Sequence, residues 1–196
     1  MTDSVEALMT ATAEVLSVLL DFINEQFLPK KLPHLEKHAL SEIRKNLNTF
    51  QKFVKKRLEQ IKPKLEKVKK DSYATIVECP ACYQEALVLG EEHPLCLFCG
   101  YSAEPAIVAN KWIETILGIN YYTTVKDGGY NPLYSCPECK EETLVDKGLS
   151  GSQFESNRYI CFSCGSIWKE SELDECLRCG ELYEVQDDDF ANAENA

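Results

Sequence analysis

Two stretches decide the fold. Cys79-Pro-Ala-Cys82-Tyr-Gln-Glu-Ala-Leu-Val88 and Cys136-Pro-Glu-Cys139-Lys-Glu-Glu-Thr-Leu-Val145 agree at both cysteines, the proline, one glutamate, the leucine and the valine. Each is followed by a second cysteine turn that ends in glycine, Cys96-Leu-Phe-Cys99-Gly100 and Cys161-Phe-Ser-Cys164-Gly165. This is an internal repeat of one supersecondary unit. A short turn with two cysteines three apart aims both sulfurs at one point, and two such turns close a tetrahedral four-thiolate site. Soft thiolates with no open position favour a structural zinc ion. The repeat assigns Cys79, Cys82, Cys96 and Cys99 to one site, and Cys136, Cys139, Cys161 and Cys164 to the other. A rival pairing joins Cys161 and Cys164 to the fifth pair, Cys176 and Cys179, which follows after 11 intervening residues.

The ten cysteines all fall into these five pairs, and all lie in the last 118 positions. The chain begins Met1-Thr2-Asp3, acidic where a signal peptide needs positive charge. A disulfide scaffold needs a secretory route, so the pairs read as metal ligands in a cytoplasmic protein. Cys176 and Cys179 remain as an additional metal or redox pair, as half of a third site, or as a site shared with a second copy. His93 precedes Cys96 by three, but four cysteines already saturate that site. His34 and His38 lack the glutamate of a His-Glu-x-x-His motif and read as surface histidines.

Two cysteine knuckles on β-hairpins resemble the zinc-ribbon fold group over about residues 75–104 and 132–170. The resemblance implies two small β zinc ribbons with about two Zn2+ per chain. Such ribbons occur in transcription, translation and nucleic-acid-processing machinery and as protein-docking modules. Cys176-Leu-Arg-Cys179-Gly-Glu-Leu-Tyr-Glu184 is also similar to the first knuckle of rubredoxin, which raises an iron electron carrier as a competing class.

Charge is segmented. Of 196 residues with net charge −11, residues 1–29 carry five acids and no Lys or Arg. Residues 30–70 carry 14 basic and four acidic residues, and residues 71–196 seven basic and 23 acidic. This reversal marks a boundary near residues 71–73. It divides a helical part, 1–72, from a first ribbon with a connecting helix, 73–120. A second ribbon with the extra knuckle, 121–186, and an acidic disordered tail, 187–196, follow.

Val5, Leu8, Met9, Leu16, Leu19, Leu20, Ile23 and Phe27 recur at steps of mostly three and four, one face of a helix. Asp3 or Ser4 is placed to cap it, and Pro29 and Pro33 end it. A second pattern runs from Leu35 through Ile43, Phe50, Val54, Leu58 and Ile61 to Val68, with a kink expected at Pro63. The expected class is α+β: an N-terminal antiparallel α-helical hairpin, then the two ribbons. The hairpin's core is thin, so a second copy or the rest of the chain should cover it.

Arg44, Lys45, Lys52, Lys55, Lys56 and Arg57 lie between the apolar positions. They read as a solvated face, as an anion or nucleic-acid surface, or as a surface docked on the chain's own acidic half. Between the ribbons, Pro105 and Gly118 bracket a helix carrying Ile107, Val108, Trp112, Ile113, Ile116 and Leu117. Tyr121–Val125, the turn at Asp127–Gly128 and Tyr130–Tyr134 read as strand, turn, strand. The aromatics there and in the second ribbon suit base stacking or, with few basic residues nearby, a core or protein interface.

No P-loop, Gly-x-Gly-x-x-Gly, Gly-x-Ser-x-Gly or deaminase pattern occurs, and no apolar run of membrane-spanning length. A zinc saturated by thiolates holds no water to activate. The expectation is a non-enzymatic zinc-binding interaction or adaptor protein. A protein partner is expected, with homodimerisation through the helices or Cys176/Cys179 and nucleic-acid binding through residues 44–70 as alternatives, and no membrane.

Overall fold

The computed structural model describes residues 2–26, 34–70, 74–90, 93–120, 126, 128, 132–148, 158–178 and 180–185. Among these residues, four helices and three small antiparallel sheets make an α+β fold. The helices are α1 (Thr2–Gln26), α2 (His34–Leu47), α3 (Gln51–Lys70) and α4 (Pro105–Thr115). The first sheet joins β1 (Thr75–Glu78), β2 (Glu85–Leu89) and β3 (Leu95–Cys96) in that order. The second joins β4 (Leu133–Ser135), β5 (Glu142–Asp146), β6 (Tyr159–Cys161) and β7 (Ile167–Trp168). The third is a hairpin of β8 (Leu173–Glu175) and β9 (Leu182–Glu184).

The helical part departs from the expected hairpin in three ways. The second helix breaks at Asn48–Phe50 rather than at Pro63, which lies inside α3. Asn46 and Leu47 carbonyls accept from the amides three residues on, and Thr49 Oγ1 donates to Asn46 O at 2.7 Å. Asn and Thr side chains compete for backbone partners, so this run terminates a helix where apolar spacing alone continues it. Second, the ion pairs Glu6–Lys52, Glu14–Lys56 and Asp21–Arg57 ascend along both helices. α1 and α3 therefore cross in the same sense, with α2 between them in the chain. Third, α1 starts at Thr2, so Asp3 and Ser4 lie in its first turn rather than at its cap.

α1 also turns a different face inward than its apolar pattern suggests. Ala13, Ser17 and Leu20 are buried, while Val5, Leu8, Met9 and Leu19 are exposed. α3 buries Phe53, Arg57 and Ile61. One apolar cluster runs from these helices through Leu87, Leu89 and Phe98 to Val108, Trp112 and Ile113 of α4, and on to Val145, Ile160 and Phe162. α4 begins at Pro105, and Gly118 just past its end has φ +69°. Trp112 ties the sheets together: its Nε1 donates to Glu78 O at 2.9 Å, and its ring lies 5.6 Å from that of Phe162. Most of the expected strand and turn at 121–131 lies outside the described residues, as do residues 71–73 at the expected boundary and the tail from 186.

Candidate metal centres

The repeat in sequence is a repeat in backbone. β1 and β2 pair Glu78 with Glu85 across a bulge, and β4 and β5 pair Ser135 with Glu142 across the equivalent one. The bulge turns the strand end into the first knuckle. Cys79 N donates to Gln84 O at 2.9 Å, and Tyr83 N donates back to Cys79 O at 2.8 Å. Cys136 repeats both bonds with Glu141 and Lys140 at 2.9 Å each. Tyr83 and Lys140 take φ of 57° and 65°, the left-handed conformation that closes this turn. In the second knuckles glycine fills that position: Gly100 has φ 70° and Gly165 φ 77°.

These turns bring the expected sulfurs together. In the first group Cys79 and Cys99 are 3.9 Å apart, and Cys82 and Cys96 3.7 Å. In the second, Cys136 and Cys164 are 3.8 Å apart, and Cys139 and Cys161 3.6 Å. Within each group all four ligand atoms lie within 4.8 Å of one another. A tetrahedron with metal–sulfur bonds of about 2.3 Å has edges of about 3.8 Å, so both donor sets fit a four-coordinate ion. The separations are far beyond a disulfide bond of about 2.05 Å. The rival pairing of Cys161 and Cys164 with the fifth pair is not adopted.

Backbone amides support the sulfur charge. Ala81 N points to Cys79 Sγ at 3.4 Å, and Cys99 N and Cys164 N point to Cys96 and Cys161 Sγ at 3.5 Å each. Hydrogen bonds from the neighbouring thiols hold Cys99 well below the usual thiol range, while burial pushes Cys96 up. In the second group a hydrogen bond from Cys161 lowers Cys136 to about 4. One sulfur of each group is thus favoured as the thiolate while buried neighbours such as Cys82, Cys96 and Cys161 hold their protons, which a metal ion must displace to bind. Burial and the adjacent sulfur charges raise Tyr101 to about 12.

The two centres differ in exposure. All four cysteines of the first are buried; in the second Cys139 and Cys164 are half-buried. Ser166 Oγ lies 3.0 Å from Cys164 Sγ and 3.5 Å from Cys136 Sγ, and Thr143 Oγ1 3.3 Å from Cys161 Sγ. Such hydroxyls orient the ligands around an ion. His93 stays outside the first sulfur group, its Nδ1 3.6 Å from a Glu104 carboxylate oxygen.

Cys176 opens a turn with the same backbone bonds. Cys176 N donates to Glu181 O at 2.9 Å, and Gly180 N, at φ 74°, donates to Cys176 O at 2.7 Å. The knuckle sits on its own hairpin, β8–β9, whose Leu173 and Leu182 pack with Tyr134, Cys136 and Tyr159. Cys179 lies outside the described residues. Among the described residues only two groups could hold a metal.

The basic residues mostly turn inward. Arg57 Nε donates to Phe98 O at 3.1 Å, and its two terminal nitrogens clasp Asp21 at 2.7 and 2.5 Å. Arg44 donates to Cys99 O at 2.8 Å and to Asn24 Oδ1 at 3.1 Å. Both arginines therefore grip the backbone of the Cys96–Gly100 knuckle. Lys52 and Lys56 pair with Glu6 and Glu14 of α1. Of the six basic residues singled out in the sequence, Lys45 and Lys55 are exposed. Docking on the acidic half is seen only at backbone carbonyl oxygens of the first cysteine module; the acids that pair with these basic residues, Glu6, Glu14 and Asp21, belong to α1 instead. Of the described aromatics, Trp112 faces Phe162 and Tyr134 meets Tyr159 edge-on at 6.2 Å, both in the core; Tyr121, Tyr122, Tyr130 and Phe154 lie outside the described residues. No helix is long and apolar enough to cross a membrane among the described residues.

Comparison of the chain with protein-family models, curated proteins and solved structures finds no match.

Proposed function

We propose that this protein is a zinc-binding, non-enzymatic interaction protein. Its two four-cysteine modules act as rigid platforms for protein partners. The observation that carries the reading is the fit of both sulfur groups to a closed tetrahedron. Four thiolates leave no position for a bound water, so the ion supplies folding energy rather than chemistry. Cys79, Cys82, Cys96 and Cys99 hold one ion; Cys136, Cys139, Cys161 and Cys164 hold the other. Elemental analysis with native mass spectrometry of the untagged chain tests this. Two zinc ions per chain are expected. Iron in their place would replace the reading with electron transfer, and a metal-free folded chain would end it. A third equivalent, lost on Cys176→Ser, would assign metal to the fifth knuckle, with Cys179 as its second sulfur.

A second reading is nucleic-acid binding, favoured by one feature of α3. Lys62, Lys64, Lys67, Lys69 and Lys70 are exposed along its second half, clear of the inward-turned arginines. It predicts affinity for a duplex or single strand that falls steeply with salt. Binding unchanged when Lys64, Lys67 and Lys69 become Glu would dismiss it.

A further inference from the structure

α1 is apolar on two opposite faces, and among the described residues its own chain covers only one. Ala13, Ser17 and Leu20 face α3. On the other side Val5, Leu8, Thr12, Val15, Leu19 and Phe22 alternate steps of three and four, the a and d positions of a heptad. The five apolar ones among them expose between 49% and 68% of their surface. Every residue from Ser4 to Thr12 is exposed, so the first half of the helix has no packed support. A helical stretch as short as this half is marginal in water without such support.

Charge identifies what covers this face. The positions flanking the seam are Met9, Ala11, Leu16, Val18 and Ile23, with Glu25 the only charge. Glu6, Glu14 and Asp21 are turned to Lys52, Lys56 and Arg57 of α3. Flanking charges normally select a different helix as partner, and like charges forbid self-pairing. Here Glu25, at the last turn, is the only such charge, so neither effect acts along the seam. A membrane surface is a poor fit, because residues 1–29 contain no Lys or Arg to meet anionic headgroups. The exposed apolar seam is on the order of 600 Å2, the upper end of what a monomer leaves in one patch. With its neutral flanks it approaches the roughly 800 Å2 per partner of a standard stable interface.

We infer that α1 is a self-association helix: the seam from Val5 to Phe22 packs against the same seam of a second copy. This rests on α1 alone and stands independently of which metal the cysteines hold. Analytical ultracentrifugation of the full, metal-loaded chain tests it, up to about 100 μM, well above the roughly micromolar dissociation constant that sets the weak end for an interface of this size. The expected mass is twice 22.2 kDa at the upper concentrations. Val15→Glu with Leu19→Glu should sediment as a monomer with unchanged metal content. Leu8→Glu lies in the half of α1 that touches no core, so it cannot unfold the body. It should weaken the dimer by more than about tenfold. Ile107→Glu, equally exposed but on α4, should leave it intact. A monomeric wild-type chain overturns the inference, whether it is inert or floats with phosphatidylcholine vesicles. So does a dimer that Leu8→Glu leaves unchanged, which would place the contact elsewhere, for example at the Cys176 knuckle.

Discussion

Arg57→Ala should be the most costly change among the basic residues of α2 and α3, although it alters a residue whose setting in the sequence is that of a solvated or anion-binding helix face. The Arg57 side chain keeps 8% of its exposure, and Asp21 keeps 49%. Exposed ion pairs contribute about 0–1 kcal/mol. Removing one partner from a fully buried pair costs about 3–5 kcal/mol. Here one partner is buried and the other half-solvated, so the value falls between. The two charge-assisted bonds to Asp21 account for about 2 kcal/mol after that discount. The Phe98 carbonyl, left without its donor, adds about 1 kcal/mol. The sum is about 3 kcal/mol, against less than about 1 kcal/mol for Lys52→Ala at the exposed pair with Glu6.

Denaturant unfolding of the metal-loaded chain measures this difference. A double-mutant cycle with Asp21→Ala separates the pair from the carbonyl, and a coupling of about 1–3 kcal/mol is expected. Phe98 lies between Cys96 and Cys99, so the same substitution should also loosen the first metal centre. A competing chelator should then withdraw that ion sooner than in wild type. If Arg57→Ala proves no more destabilising than Lys52→Ala, the arginine is not a clamp and the argument from burial fails.

The centres should lose metal in order. The second, with Cys139 and Cys164 half-buried, should yield its ion to a chelator or oxidant before the wholly buried first, seen as two kinetic phases; Cys136→Ser should abolish the fast one. Gly165→Ala should destabilise by about 2 kcal/mol, because the position has φ +77° and a Cβ would come within 3.1 Å of the Gly90 backbone. Gly118→Ala, at φ +69° but with open space around it, should cost only about 1 kcal/mol by the same unfolding assay. Arg158→Met should cost about 3 kcal/mol or more, since it leaves fully buried Asp146 without the two bonds, 2.9 and 2.8 Å, that balance its charge. Adding Asp146→Leu should recover part of that loss, and no recovery would argue against an isolated buried charge as the cause.

The cysteine modules were legible because their information is local. Ligand spacing, the proline and the closing glycine fix each turn through bonds between residues four or five apart. The repeat then fixes which turns face each other. α4 was legible for the same reason, with Pro105 at its start and Gly118 past its end. The helices were less so. Periodicity shows that α1 has an apolar face, but not whether that face is buried in its own chain. The small residues Ala13 and Ser17, which allow close approach to α3, carry little hydrophobic signal. The break at Asn48–Phe50 depends on side-chain bonding that apolar spacing ignores, and Pro63 is tolerated at an exposed position of α3. Arg44 and Arg57 resemble their neighbouring lysines in sequence. Only long-range packing against residues 98–100 distinguishes them.

That packing gives the second knuckle of each module a further task. Cys96–Gly100 receives Arg44, Arg57 and Asn24 from three helices, and a Cβ on Gly100 would collide with Asn24 at 2.2 Å. Cys161–Gly165 receives the first module in the same way: Thr75 Oγ1 donates to Gly165 O at 2.7 Å, and Gly90 lies against it. The knuckle carbonyls and glycines that form these contacts are held in place by the turn that presents the sulfurs. An ion at the first centre would therefore stiffen the surface on which the helices rest, and an ion at the second would stiffen the surface on which the first module rests. Such a series explains why a basic helix segment can sit beside a thin helical core without one of its own. Its arginines are anchored to backbone oxygens whose positions the cysteine turns define.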